Sequence, residues 1–312
     1  MYIRDEHLGT ADGRIRALKA LSAPIRSPRA SFRWITFLRN NNLAKAQLAR
    51  ESDFAVKPLL KYLNLRYAFH DRVRVLVSHY DFVARQFSAS DIDLIYGGNG
   101  LCLAEFCGKS GAPYRVVLST YSVCHPEGEM VLRIETAEAE VICFAIVSIG
   151  ESFNGKPQIE LGCLQGARRT SGPNVTKLAA KDFHSTLAKH FLIDVLCSFA
   201  RTLKIPLIGC ISDRTSMAIH NPDCHAQHDS FWKEFGAREL DNSGFYMLSL
   251  DHDRPKQVTR KHTRRHKLRA TQKEKVYNMI RARLKKALLP LGWITYFVKH
   301  AEQVLLVFSC GA

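Results

Sequence analysis

The clearest periodicity in the chain runs from Leu187 to Leu203. Leu187, Phe191, Leu192, Val195, Leu196, Phe199, Ala200 and Leu203 recur at helical spacing, with Lys189, Asp194, Ser198 and Arg201 opposite. The pattern predicts an amphipathic helix. Its apolar face, at ~1.5–3 kcal/mol per large side chain, has to be covered by core. Just before it, Gln158–Leu164 alternates apolar and polar and stops at Gln165-Gly166, as a half-buried strand does. Pro206 closes the helical region, and Leu207–Ile211 reads as a short buried strand. Strand, loop, helix and strand thus follow one another between Ile159 and Ile211, and the rest of the chain is read around them.

Upstream, Ser31–Asn41 fits a short helix. Lys57–Phe87 fits a longer helical region broken near His70-Asp71, which places His70, His79 and Tyr80 in a packed helical interface. Gly97-Gly98-Asn99-Gly100 reads as a hairpin turn, because no helical pattern follows it as a phosphate loop requires. Arg115–Tyr121, Met130–Thr136 and Val141–Ile149 are rich in β-formers and, with Gln158–Leu164, predict four antiparallel strands. Downstream, Ser230–Phe235 is a short helix with Gly236 as its cap, and Phe245–Leu250 is a strand. A helix from Thr271 to Leu289 and a terminal hairpin of Trp293–Val298 and Val304–Phe308 complete the pattern. The expected fold is α+β, a helical N-terminal part followed by a mixed, mainly antiparallel sheet with a β-α-β unit. Its expected parts are residues 1–90, a core of 91–252, and a basic helical segment with hairpin, 253–312.

Composition changes this picture in one place. The net charge is +16, but fourteen Lys/Arg against one acid, Glu274, fall between Arg254 and Lys286. The basic character therefore belongs to one segment. It suits an anionic membrane surface, an acidic carrier or nucleic acid, and the scarcity of aromatics there (only Tyr277) argues against single-strand binding. Nine cysteines without C-x-x-C spacing point to reduced thiols in a cytoplasm. No apolar run approaches 18 residues and Met1–Ala20 lacks an apolar core, so neither a membrane-spanning helix nor a signal peptide is expected.

Several stretches resemble the VirK/YbjX family of bacterial proteins. They are Lys57-Pro58, Tyr62-Leu63, Arg66 and His79-Tyr80, then Leu161-Gly162-Cys163-Leu164-Gln165-Gly166, Thr176-Lys177, His184, and Asp229-Ser230-Phe231-Trp232-Lys233-Glu234-Phe235-Gly236. Ser185-Thr186-Leu187-Ala188 stand where the family has Gly-Leu-Arg-Pro, and His228 where it has Tyr. The resemblance implies a link to virulence or the cell envelope and brings no chemistry with it. The order of elements is also similar to the core of GNAT-type acyltransferases, which bind the pyrophosphate of acyl-CoA at the loop and helix N-terminus after their fourth strand.

On that second resemblance, Gln165, Gly166, Arg168, Arg169 and Gly172 become the candidate donor-binding residues. Glycine lets backbone N–H groups approach phosphate, and the arginines add charge. Acyl transfer from CoA or a carrier-protein thioester to an amine or hydroxyl needs a base and an acid. His184, Asp229 and Tyr246 are the candidates, with Cys210 as a further donor. His184 and Asp229 also suit plain cap positions. The cluster of His220, Cys224, His225, His228 and Asp229 has metal-ligand chemistry but matches no closed zinc spacing, so a polar loop and no metal are expected. The competing function classes are a non-enzymatic factor peripheral to the inner membrane, held through residues 254–286, and a nucleic-acid-binding regulator.

Overall fold

A computed structural model describes residues 22, 25, 27–120, 125–151, 156–166, 172–220, 228–240, 243–250 and 263–287. Helices come first. Helix α1 (Pro28–Asn40) starts on a proline suited to the first turn and turns Trp34 and Phe37 inward. Asn41 ends it, and its side chain accepts from the Ala44 amide at 3.0 Å to cap α2 (Asn42–Arg50). A 3-10 turn (Ser52–Leu59) follows, then an irregular stretch, then α3 (Phe69–Gln86). The break in this region is at 60–68, whereas His70 and Asp71 lie in the first turn of α3. His79 and Tyr80 are buried as the interface expectation has them, but His70 is exposed.

Ser88 caps α4 (Ala89–Tyr96), accepting from the Asp91 amide. Gly97–Gly100 ends this helix and leads into β1 (Leu101–Cys107), so it is not a hairpin turn. The hairpin sits one strand later, at 108–112. Gly98 and Gly100 have φ of +96° and +79°, the left-handed values that glycine accepts freely. Strands β2 (Pro113–Ser119), β3 (Met130–Thr136), β4 (Val141–Glu151) and β5 (Pro157–Gly166) continue antiparallel, so β1 adds one strand to the four that the alternation predicts.

The crossover after β5 holds two helices, α5 (Gly172–Asp182) and α6 (Ala188–Thr202). The apolar stripe read from the sequence is the buried face of α6, except that Leu187 is exposed at its N-cap and Ser198 is buried. Next come β6 (Leu207–Ile211), α7 (His228–Glu234), β7 (Arg238–Leu240), β8 (Phe245–Ser249) and α8 (Thr263–Ala287). The basic helix begins eight residues earlier than its pattern suggests. The expected C-terminal hairpin lies outside the described residues.

All eight strands form one sheet in the order β1-β2-β3-β4-β5-β6-β8-β7, parallel only at β5/β6. This is the α+β arrangement with a β-α-β unit. Strand alternation assigns the faces. Ser148 and Gly150 of β4 face the N-terminal helices, since Tyr62 meets Ser148 and Val75 lies beside Gly150. The other face carries Phe106 and Tyr114, which meet Phe183 and Phe191 from the α5–α6 region in tilted and edge-to-face contacts, and α8 packs on α6 and β1. We call these the front and the back. Buried apolar residues from Trp34 to Leu284 form one continuous core through the sheet.

Candidate functional site

The site grows from one irregularity in β5. Opposite it, Ile146 pairs with Cys163 but Val147 pairs with Leu161, so Gly162 is an extra, bulged residue. Below the bulge β5 pairs with β6, through Gln158–Leu161 and Leu207–Cys210. Above it β5 continues to Gly166 against β4 alone. The two parallel strands therefore part at the bulge. A methyl group on Gly162 would lie 2.1 Å from the Glu127 carbonyl oxygen and 2.9 Å from Leu63 Cδ1, so only glycine lets these two segments close over the bulge.

Those segments are the β2–β3 turn and the irregular stretch 60–68, which crosses the front of the sheet as a strap. The Leu63 amide donates to the Pro126 carbonyl (2.7 Å), the Leu65 amide to Thr215 (3.0 Å), and Asn64 Nδ2 to the Ser243 carbonyl (3.1 Å). The strap thus spans from the β2–β3 turn to the loops after β6 and before β8. Leu63 is held at φ +59° and fully buried. Arg72 fixes the strap's two ends by donating to the carbonyls of Pro58, Leu60 and Tyr67.

Beneath the strap lies a buried polar network. Lys57 Nζ is 2.6 Å from Glu129 Oε1, both side chains being at most 2% exposed. Tyr80 donates to Glu129 Oε2 (2.6 Å) and Tyr62 shares a hydrogen bond with Ser148 (2.7 Å). Tyr67 donates to Glu160 (2.8 Å). Burial raises the Glu129 carboxyl, but the Lys57 ammonium, helped by the Tyr80 hydrogen bond, outweighs this and holds it below the usual range. His79 accepts the Ile149 amide on Nδ1 (3.1 Å), which puts the proton of its neutral ring on Nε2, 2.8 Å from the Tyr96 hydroxyl. Burial keeps that ring neutral, with its pKa at about 4.

At the edge of this network the β2–β3 turn presents two titratable groups, each 13% exposed. His125 accepts the Glu127 amide on Nδ1 (3.3 Å), and its Nε2 lies 3.9 Å from Glu127 Oε2. Burial, then the Lys57 charge, lower His125 to about 4. Burial raises the Glu127 carboxyl, partly offset by a hydrogen bond from Cys163, the residue next to the bulge. A carboxyl pushed upward beside a neutral imidazole is a better proton acceptor than an ordinary carboxylate.

Behind the bulge the residues read from the sequence are distributed unevenly. Gln165 and Gly166 end β5 and are half-buried. Lys189, at the start of α6, passes its Cε 3.7 Å from the place of a Gly166 Cβ. Gly172 is the first residue of α5, while Arg168 and Arg169 lie outside the described residues. Asp229 is engaged at the start of α7. Its Oδ1 accepts the Asp213 amide (2.8 Å), and Asp213 in turn accepts the amides of His228 (2.8 Å) and Asp229 (3.2 Å). Trp232 Nε1 donates to the Ile211 carbonyl (2.8 Å), so Asp229 and Trp232 together latch α7 to the end of β6. Tyr246 sits near this latch on β8, its hydroxyl 3.4 Å from Glu239 and its ring 5.9 Å from Lys233. The Cys210 thiol is fully buried, and that burial pushes its pKa up.

His184 is elsewhere. It takes a left-handed turn (φ +51°) at the far end of α5, and its carbonyl accepts from Arg269 of α8 (2.6 Å). Nearby Asp182 is bound by Ser110 (2.8 Å) and Tyr114 (2.6 Å) of the β1–β2 hairpin. β2 is four strands from β6, ~19 Å at ~4.8 Å per strand, so His184 does not meet Asp229 or Tyr246. Of the His/Cys cluster after β6, Cys224 and His225 lie outside the described residues, and His228 is buried and stacked on Trp232 (6.0 Å, 10°).

Lys57, Tyr62, His79 and Tyr80 converge on Glu129, and Gly162 receives the strap they support. These residues carry the family resemblance, and one family matches residues 13–279, described as "Protein of unknown function (DUF535)". The chain belongs to the DUF535 family. It is also similar to the uncharacterized protein YbjX of Escherichia coli (strain K12), at 25% identity over 240 residues, 75% of this chain and 70% of that protein. Within this DUF535 chain, pattern reading missed Glu127, Glu129 and His125. A faint signal was present, since His125-Pro126-Glu127-Gly128-Glu129 puts two acids and an imidazole in a turn directly before an apolar strand. No helix among the described residues is long and apolar enough to cross a membrane.

Proposed function

We infer that the protein is an acyltransferase, moving an acyl group from a thioester of CoA or of a carrier protein to an amine or hydroxyl. The observation that carries this reading is the parting of β5 from β6 at Gly162, with Lys189 behind it and Glu127 in front. An 11-residue helix, α5, begins six residues after Gly166, and its N-terminal amides favour an anion such as a diphosphate. Support comes also from the GNAT-like order of elements, in which the parallel step follows the strand that ends in the donor turn.

The chemistry balances on this chain's own groups. The acceptor's lone pair forms a bond to the thioester carbonyl carbon, and its proton passes to the Glu127 carboxylate. The C–S bond then breaks, and Glu127 returns the proton to the leaving thiolate. His125, kept neutral, orients Glu127 without adding a charge to it. His184, Asp229 and Tyr246 are relieved of the acid–base role by this assignment, since Asp229 already holds the α7 cap.

Thermal unfolding with acetyl-CoA and longer acyl-CoAs tests the reading. A ligand at 100-fold its Kd adds ~2.7 kcal/mol. Lys189→Ala should lose most of that gain, and Glu127→Gln should keep it while transfer falls ~10²–10⁴-fold. No stabilisation by any acyl-CoA, together with no thiol release from a carrier thioester, refutes it. A second reading, a non-catalytic VirK-type factor held at an anionic leaflet, draws on the basic outer side of α8. Vesicle binding without any transfer would favour that one.

A further inference from the structure

Helix α8 divides its cations between two jobs. Arg269 donates to the carbonyls of His184 and Ser185, Lys273 pairs with Asp194 and Arg283 with Asp91, all toward the fold. Val276, Ile280 and Leu284 are buried on the same side. At ~100° per residue, Arg264, Lys267, Lys275, Lys285 and Lys286 fall within about 60° of the opposite direction, and all five are exposed. The inward contacts hold this stripe rigid over the ~37 Å that 25 residues span.

Position adds to the pattern. α5 runs from Gly172 to Asp182, and Arg269 grips the turn just beyond its end at His184 and Ser185. Arg269 is therefore about one α5 length, ~16 Å, from the first residue of α5, whose N-terminal amides would face the diphosphate or phosphodiester of a thioester donor. A surface that binds lipid carries apolar residues among its cations. Here Thr271, Asn278 and Ala282 lie between the cations, Leu268 is a single exposed apolar residue at the edge of the stripe and Glu274 a single acid, and the other large apolar side chains are spent on the core. A single-stranded nucleic acid would want stacking aromatics, and the stripe has none. A fixed row of point charges beside a donor turn is complementary to a folded acidic protein that presents its own thioester arm.

We propose that the outer side of α8 is the docking surface for a small acidic carrier protein, and that the acyl donor is its phosphopantetheine thioester rather than free acyl-CoA. This rests on the acyltransferase reading and narrows its donor class. The test uses the full chain, a bacterial acyl carrier protein loaded with an acyl-phosphopantetheine, and the triple variant Lys275→Glu/Lys285→Glu/Lys286→Glu. Arg29→Glu/Arg39→Glu/Lys45→Glu, at exposed positions on α1 and α2, is the charge-matched control. Binding is measured at low and at physiological salt, alongside free acyl-CoA, anionic vesicles and a duplex DNA. Expected is carrier binding that weakens with salt and at least tenfold in the triple variant, with the control, the melting temperature and acyl-CoA binding unchanged. Equal carrier binding by wild type and triple variant overturns the proposal. So does tighter, α8-dependent binding to the vesicles or the DNA. If transfer proceeds equally from acyl-CoA and carrier and ignores the reversals, docking fails and the acyltransferase reading stands. If the carrier binds through α8 but nothing is transferred, the acyltransferase reading fails and the docking surface stands.

Discussion

Lys57→Met breaks the ion pair under the strap and tests whether that network organises the site. Both partners are almost wholly buried and 2.6 Å apart. Losing one partner of such a pair leaves an uncompensated charge and costs ~3–5 kcal/mol, well above the ~0–1 kcal/mol of a surface pair. Glu129→Gln should cost a similar amount by taking the carboxylate away from the buried Lys57 ammonium. The double variant removes both charges and should be less destabilised than the sum, by ~2–3 kcal/mol, inside the range for residues in contact. Urea unfolding of all four proteins at neutral pH gives the cycle. Acid titration adds a sign. Glu129 is held low when folded, so its contribution is complete above the ordinary carboxylate range and is lost as pH falls through the lowered value. Lys57→Met should remove that acid limb. Single variants that each cost under ~1 kcal/mol, or an additive cycle, would mean that water reaches the pair and that the strap is not held from below.

Other outcomes follow from the same geometry. Buried His79 has a folded pKa of about 4 against 6.5, so stability is greatest above pH ~6.5 and falls by ~3 kcal/mol as pH drops toward 4. Urea midpoints across that range should show the fall, and His79→Gln should flatten it. Glu127 is raised when folded, so its ionised form opposes folding as pH rises above the usual carboxylate value. Glu127→Gln should therefore melt higher than wild type at pH ~7 while losing transfer, and a variant that melts lower would remove the case for a strained functional carboxyl. Gly162→Ala should cost ~1–3 kcal/mol by overpacking against Glu127 and Leu63. Hydrogen exchange at the Leu63 amide, which donates to Pro126, should speed up in that variant if the strap lifts.

The sequence by itself determined the elements whose causes are local. The stripe from Phe191 to Leu203 became the buried face of α6, because a 3.6-residue period allows no other burial. Alternation marked β2 to β5 and the short run at Leu207–Ile211 marked β6. Gly236 ended α7 with φ +74°. The helical pattern from Thr271 marked α8, though not its first turns, which lack an apolar period. What only the tertiary structure decided depends on neighbours distant in the chain. Patterns report that Lys57 or Leu63 is near apolar residues, not that Glu129 and Pro126 will meet them 72 and 63 residues later. Leu63 adopts a left-handed backbone because Pro126 accepts its amide and Gly162 leaves room for its side chain, and neither fact is written near it in sequence. His184 and Asp229 looked like partners along the chain, but α5 carries one toward the β1–β2 hairpin while the other caps α7. Periodicity fixes which side of an element is buried; the order of strands in the sheet fixes which residues share a site.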